Sequence, residues 1–241
     1  MDTLRSEKGC PWDRKQTVHA FKTFLVEEVY EVVDAIESAD YQSLREELGD
    51  LLFHIVFMAQ ICKEEGLFDI TEVIQGVYQK MYHRHPHVFG NLPHDTPTEK
   101  KWEELKKNEK EGYSPLDNIP AMTPALLRAF IITRRAARIG FDWPRLEDVH
   151  EKVGEEIAEL RRAEQSGNSE LIKEEIGDLL FTIVNVARFH NIDPEDALQA
   201  TSRKFLRRFN YIQKNTDLSN TTLETMDKLW NEVKVMEKKG P

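Results

Sequence analysis

The sequence predicts an all-α protein, on three observations. Apolar residues recur three and four positions apart along most of the 241-residue chain, which is the spacing that gives an α-helix one apolar face. No stretch alternates apolar and polar residues between turn residues, as a half-buried strand would. The chain also contains an internal repeat, and each copy holds four segments with helical spacing. Together these observations predict two tandem four-helix units.

Four helices are expected in the first half of the chain, over 16–38, 41–65, 70–85 and 98–109. Asp13 and Gln16 have the spacing of a capping box in front of the first helix. Gly66 follows the second helix, at the C′ position where glycine is favoured. Pro86 ends the third because proline cannot continue a helix, and Thr98 is a suitable N-cap for the fourth.

A proline-rich segment separates the two halves. Residues 112–123 contain Pro115 and Pro120, and Pro124 stands where the next helix should begin, a position that proline favours. Beyond it, helices are expected over 124–139, 147–166, 169–190, 194–214 and 222–239. We therefore predict an N-terminal domain over 1–111, a linker over 112–123 and a C-terminal domain over 124–241.

The internal repeat relates residues 24–60 to residues 152–188 without a gap, at an offset of 128 positions. Of the 37 aligned pairs, 15 are identical. The same offset relates Trp102 to Trp230, and a Lys-x-x-x-Arg pair returns at an offset of 124. Two copies indicate a tandem duplication rather than a solenoid, which needs three or more repeats.

Each copy carries a Glu-x-x-Glu pair followed by a Glu-x-x-Asp pair. The acids are Glu28, Glu31, Glu47 and Asp50 in the first copy, and Glu156, Glu159, Glu175 and Asp178 in the second. A spacing of three puts both members of a pair on one helix face, so two antiparallel helices would bring the acids together. Crowded carboxylates at the edge of a buried face need a cation. Oxygen ligands favour Mg²⁺ or Mn²⁺ over zinc.

A single acidic pair would more often be an ordinary solvated face, but repetition of the whole set favours a metal site. Gly49 and Gly177 lie within the second acidic helix of each copy. Glycine there costs about 1 kcal/mol against alanine, which suggests close packing or backbone approach. The acids next to these pairs are candidates for a general base or for residues that contact the metal ligands. The alternative is that they form ordinary surface ion pairs. They are Glu27, Glu46, Glu155 and Glu174.

Basic and aromatic residues also recur in both copies. The basic pairs are Lys80 with Arg84 and Lys204 with Arg208. Beside a carboxylate metal site such a pair suits phosphate binding, since arginine binds phosphate through two hydrogen bonds; alone it would be a solvated face. Trp102 and Trp230 are either base-stacking or lid residues, or core tryptophans.

Composition excludes several classes of protein. The net charge of −10 disfavours binding to a nucleic acid polymer, which requires clustered lysine and arginine. No apolar run approaches the length of a membrane-spanning helix, and no apolar stretch follows the first charged residues, as it would in a secretory signal. Cys10 and Cys62 are too few for a disulfide framework, which predicts a cytoplasmic protein.

The duplicated Glu-Glu-x-x-Glu and Glu-Glu-x-Gly-Asp motifs resemble those of the MazG nucleoside triphosphate pyrophosphohydrolases. Further similarity lies in Gly-Cys-Pro-Trp-Asp at 9–13, Arg-His-Pro-His-Val-Phe at 84–89, Phe-Asp-Trp at 141–143 and Val-Asn-Val-Ala-Arg at 184–188. The resemblance implies an all-α homodimeric enzyme of the NTP pyrophosphatase type. Such an enzyme cleaves a broad range of NTPs and dNTPs to NMP and pyrophosphate with Mg²⁺, for which Mn²⁺ can substitute.

The resemblance also assigns residues. The family's metal ligands fall on Glu156, Glu159, Glu175 and Asp178, with Glu28, Glu31, Glu47 and Asp50 at the matching first-copy positions. Its nucleotide contacts fall within 152–156, 171–174 and 204–208, and on Trp230. The substrate-binding candidates are Lys152, Glu155, Glu156, Leu171, Lys173, Glu174, Asp178, Asn185, Lys204, Arg207, Arg208 and Trp230, with Lys80, Arg84 and Trp102 in the first copy. Leu171 departs from the family, which often has lysine there.

The predicted reaction is direct attack by a metal-activated water. Metal ions held by carboxylates, with lysine and arginine, can neutralise a triphosphate and its leaving group. The sequence has no Walker A loop, Ser/His/Asp set or cysteine nucleophile. The catalytic candidates are Glu155, Glu156, Glu174 and Glu175. A non-catalytic metal-binding bundle is an alternative, although di-iron bundles use Glu-x-x-His pairs; a regulatory interaction module is another.

Two features lead to further expectations. The apolar stripes are wider than one four-helix unit can cover, which, with the resemblance, predicts a homodimer. The copies also differ near their acids: the second has Lys152 and Asn185 where the first has Phe24 and Phe57. Since a lysine or an asparagine can bind a nucleotide through polar contacts, we expect the second copy to carry most of the turnover.

Overall fold

A computed structural model of the chain describes residues 1–90 and 114–238. This part of the chain contains eleven helices and no strand, so the prediction of an all-α fold is confirmed. The predicted helix over 98–109 and Trp102 lie outside the described residues. The division into two compact units falls between Thr98 and Glu99. The predicted boundaries, with a linker over 112–123, stay a prediction.

The described part of the first unit, residues 1–90, forms six helices. They are α1 (Asp2–Arg5), α2 (Pro11–Arg14), α3 (Val18–Glu37), α4 (Tyr41–Glu64), α5 (Ile70–Arg84) and α6 (Pro86–Phe89). The Thr17 hydroxyl accepts a hydrogen bond from the Ala20 amide and caps α3, so the predicted capping box of Asp13 and Gln16 is wrong. Asp13 lies instead within α2. Gly66 follows α4 with φ of +71°, as expected for a C′ glycine.

The core of the first unit lies between α3 and α4. Phe21 and Phe57 stack with ring centroids 4.3 Å apart, and both are fully buried with Ile61. Arg5 is buried beside them and forms a salt bridge of 2.8 Å with Glu64. The N-terminal segment is thereby fixed to the α3–α4 hairpin.

Within the described residues, the second unit has five helices. They are α7 (Ala125–Arg138), α8 (Leu146–Ser166), α9 (Ser169–Phe189), α10 (Pro194–Asn215) and α11 (Leu223–Lys238). Gly167 has φ of +68° and Asn168 caps α9, so α8 and α9 form a hairpin. Helix α7 packs against α9 and α10, and α11 packs against α10. Buried Val149 on α8 and Val184 on α9 belong to this core.

No helix within the described residues has the length and apolar character needed to cross a lipid bilayer.

Candidate active site

The predicted acids of the second unit converge on one side of the α8–α9 hairpin. The three-residue spacing on each helix and the tight turn at Gly167 bring the pairs together. Carboxylate oxygens of Glu156, Glu175 and Asp178 lie within 4.8 Å of one another. In the first unit, the α3–α4 hairpin brings Glu28, Glu47 and Asp50 equally close. Three of the four predicted ligands are therefore grouped in each unit.

The fourth acid of each set lies beside its group rather than within it. Glu159 forms a salt bridge of 3.1 Å with Arg162 on its own helix, yet its charge still helps to raise the pKa of Glu175. Glu31 is close enough to share a hydrogen bond with Glu47, which helps to raise the pKa of Glu47. Both acids are therefore close enough to influence the grouped carboxylates.

The electrostatics of both groups disfavour a full set of negative charges. Burial, and then the neighbouring acids, raises the pKa of Glu175 and of Glu47 above the ordinary value. Burial likewise raises the pKa of Glu28, and one of its oxygens, Oε2, has no hydrogen-bond partner in the described part of the chain. Such an arrangement is stabilised by a bound cation.

The second unit supplies a cation of its own. Nζ of Lys152 lies 2.7 Å from Oε1 of Glu156 and 3.0 Å from Oε1 of Glu155. The side chain of Glu156 is only 5% exposed. Hydrogen bonds to Glu156 and then Glu155 raise the pKa of Lys152. Glu155 is thus engaged in an ion pair, whereas Glu174 is exposed on α9.

The first unit places a histidine ring beside the corresponding acid, a neighbour that the sequence analysis missed. Nδ1 of His54 lies 3.9 Å from Oε1 of Glu28 and donates a hydrogen bond of 2.8 Å to the carbonyl of Asp50. The sequence signal was available, because His54 follows Asp50 by four positions and so lies on the same helix face. The matching second-unit position is Thr182.

Asn185, a predicted nucleotide contact, is buried in a polar network. Its Nδ2 donates to the carbonyl of Phe181 at 3.2 Å, and its Oδ1 accepts from Arg188, also at 3.2 Å. Arg188 forms a salt bridge with Asp142, which precedes α8. The sequence analysis did not predict the pair of Arg188 with Asp142, because 46 positions separate these two residues.

The basic residues of α10 contact α11. Arg207 and Arg208 form salt bridges of 2.6 and 2.7 Å with Glu237. The guanidinium of Arg208 also lies 5.3 Å from the ring centroid of Trp230, and the Phe205 ring packs on the same tryptophan. Trp230 therefore packs against an aromatic ring and also contacts a guanidinium. Arg207 and Arg208 form their ion pairs with Glu237 and not with the grouped carboxylates.

The remaining candidates are surface residues or partly so. Lys204, Leu171 and Lys173 are exposed on α10 and α9, and on α5 Lys80 is exposed while Arg84 is half-buried. A Cβ atom placed on Gly49 or Gly177 would meet nothing within 4 Å. Close packing within the described chain therefore does not explain these glycines, contrary to the interpretation from sequence.

Both carboxylate groups fall within segments that a known domain covers. The sequence model of the MazG nucleotide pyrophosphohydrolase domain matches residues 16–89 and 146–212. The chain belongs to the MazG family.

Two relatives of this MazG chain are similar over nearly their whole length, and a third over less than half of its length. The nucleoside triphosphate pyrophosphohydrolase/pyrophosphatase MazG of Thermotoga maritima is 42% identical, covering 97% of this chain and 92% of the relative. The nucleoside triphosphate pyrophosphohydrolase of Escherichia coli strain K12 is also 42% identical, and the match covers 98% of this chain and 95% of that relative's length. A Mycobacterium tuberculosis protein with the latter name is 34% identical over 58% of this chain and 43% of its own.

Proposed function

We propose that this MazG chain is a metal-dependent nucleoside triphosphate pyrophosphohydrolase that converts NTPs to NMP and pyrophosphate. The observation that carries the proposal is the convergence of Glu156, Glu175 and Asp178 within 4.8 Å on one helical hairpin. The names of the Thermotoga maritima and Escherichia coli relatives support the same activity.

The carboxylate groups suit a hard divalent ion. Every grouped donor is a carboxylate oxygen, which favours Mg²⁺ or Mn²⁺ over softer metals. A bound cation would relieve both the crowding that helps to raise the pKa of Glu175 and the absence, among the described residues, of a hydrogen-bond partner for Oε2 of Glu28. The ion would be held by Glu156, Glu175 and Asp178, with Glu159 beside them. When bound, it would neutralise phosphate charge and activate water for attack.

The chain's own residues would bind and orient the triphosphate. Lys152 stands beside the grouped acids and would bind a phosphate. Glu174, exposed next to Glu175, is the better general-base candidate, because Glu155 is engaged by Lys152. Lys204, Arg207 and Arg208 would share the charge of the leaving pyrophosphate, with Trp230 as a stacking surface for the base.

The test is an assay of the full chain with a mixture of NTPs and dNTPs, in Mg²⁺, in Mn²⁺ and in EDTA. We expect equal amounts of NMP and pyrophosphate with either metal and none in EDTA, since the carboxylates cannot act on a triphosphate without the ion. Release of inorganic phosphate, or full activity in chelator, would contradict the proposal. Metal binding without turnover would favour the non-catalytic metal-binding bundle. The absence of both metal binding and turnover would favour the regulatory interaction module.

A further inference from the structure

Glu156 is a deeply buried acid whose counter-charge comes from the chain itself. Its side chain is 5% exposed, and Nζ of Lys152 lies 2.7 Å from its Oε1. A buried carboxylate without a cation is strongly disfavoured, so the lysine stabilises the hairpin when no metal is bound. Glu156 is also one of the three grouped carboxylates, with Glu175 and Asp178, that could hold a metal ion. An incoming ion and the ammonium therefore compete for one carboxylate.

The first unit shows the same hairpin without the lysine. Phe24 stands at the matching position and packs its ring against Phe21. Glu28, the equivalent of Glu156, has its Oε2 without a partner in the described residues. Nδ1 of the His54 ring lies 3.9 Å from Oε1 of the same residue. The carboxylate group of the second unit thus has a lysine ammonium in contact with it, and the group of the first unit has Phe24 at the lysine's position.

We infer that Lys152 is a displaceable counter-cation, which a divalent ion drives off Glu156 and which then binds the triphosphate. The inference rests on the proposed function. Lysine suits this role because its ammonium is a compact charge on a flexible stem, and Lys152 lies one helical turn from Glu156. Its second contact, with the half-exposed Glu155 at 3.0 Å, keeps it near the site during exchange.

The exchange couples the binding of metal and nucleotide. An ion binding alone must break the Lys152–Glu156 pair, so its affinity is lowered. When a triphosphate is present, its phosphate oxygens accept the released ammonium and the lost interaction is replaced. By thermodynamic linkage, metal and triphosphate then raise each other's affinity by the same factor. The first unit, with Phe24, should lack this contribution.

The test measures Mn²⁺ binding by calorimetry in the full chain. Glu47→Gln with Asp50→Asn removes the first-unit group, so that the signal reports the second unit. Mn²⁺ is titrated alone and with an ATP analogue whose α–β bridge is a methylene. Lys152→Met removes the ammonium at similar volume, and Lys152→Gln repeats the test should the first variant fold poorly. Lys152→Arg restores the charge, and Arg161→Met removes an exposed charge elsewhere on α8.

We expect Lys152→Met to bind Mn²⁺ alone at least about fivefold more tightly, and to lose most of the gain that the analogue gives the parent. Lys152→Arg should restore part of the coupling, and Arg161→Met should match the parent. Unchanged or weaker Mn²⁺ binding in Lys152→Met would overturn the inference, as would tighter binding with coupling intact. Either result could accompany normal NTP hydrolysis, so failure of the inference is distinguishable from failure of the proposed function.

Discussion

The two carboxylate groups hold the same acids in different surroundings. Lys152 lies on Glu156 in the second unit, whereas His54 approaches Glu28 in the first. The buried amide of Asn185 has Phe57 as its first-unit equivalent, and that ring is packed into the core. Among the described residues, the second unit therefore places an ammonium on its grouped acids, where the first places an imidazole ring.

This difference predicts that the second unit carries most of the turnover. With saturating Mg²⁺ and ATP, Glu175→Gln should lower kcat by about 100-fold or more, since loss of a metal-binding charge removes several kcal/mol of transition-state stabilisation. Glu47→Gln should retain most of the activity. Steady-state release of pyrophosphate measures both. Near-normal activity in Glu175→Gln with loss in Glu47→Gln would reverse the assignment.

The raised pKa of Glu175 predicts how stability depends on pH in the absence of metal. The native state holds a proton more readily than the unfolded chain, whose pKa is near the ordinary 4.5. Stability is therefore lost as pH rises through the window just above that value. Glu175→Gln cannot ionise and should unfold at higher urea concentration than the parent at pH 7 in EDTA.

The stability gain of Glu175→Gln over the parent should shrink towards pH 4, where Glu175 is protonated in both the native and the unfolded state. It should reverse in excess Mg²⁺, because the ion stabilises the native parent by binding to it. Urea unfolding followed by circular dichroism measures all three conditions. Glu164→Gln, at an exposed position on α8, is the matched control and should change little. A gain independent of pH would show that crowded charge is not its cause.

The helices could be predicted from sequence to within two residues at each described end of the main elements, because periodicity and caps are local. Asp40 and Asn168 cap α4 and α9 through their own side chains. Contacts between distant segments could not be predicted in this way. Arg5 meets Glu64 across 59 positions, and Arg188 meets Asp142 across 46. No helical spacing encodes such pairs.

The Arg188–Asp142 salt bridge is predicted to fasten the segment before α8 to α9. The Arg188 side chain is only 11% exposed, so Asp142→Ala leaves a largely buried charge without its partner. We expect a loss of roughly 2–4 kcal/mol in the free energy of unfolding. Adding Arg188→Met should recover part of it. Chemical denaturation of both single variants and the double variant measures the coupling; additive losses would argue against a buried pair.

The duplication and both carboxylate groups follow from sequence because each group is built within one helical hairpin. The surroundings of the basic residues do not follow in this way. Arg207 and Arg208 meet Glu237 because α10 packs on α11, and that packing depends on apolar contacts such as Phe205 with Trp230. A basic pair on a helix predicts an anion partner, but the tertiary fold selects which anion it meets.

The apolar surface of the hairpins predicts a homodimer. Equivalent positions on α4 and α9 are exposed in both units, namely Leu48, Leu52 and Ile55 on α4 and Ile176, Leu180 and Ile183 on α9. Large apolar patches of this kind mark association surfaces, and identical chains associate most often through a self-complementary two-fold contact. Light scattering after gel filtration at micromolar concentration should therefore give twice the 28.1 kDa mass of one chain.

Charged substitutions on these two helix faces should weaken the dimer. Leu180→Glu with Leu52→Glu places carboxylates among the exposed apolar side chains, where burial in a contact would leave them unpaired at a cost of several kcal/mol. The dissociation constant, measured by sedimentation equilibrium, should rise at least about 100-fold. Arg161→Glu is a control at an exposed polar position on α8 and should leave it unchanged. A monomeric parent chain, or a dimer unaffected by the leucine substitutions, would contradict assembly through these helix faces.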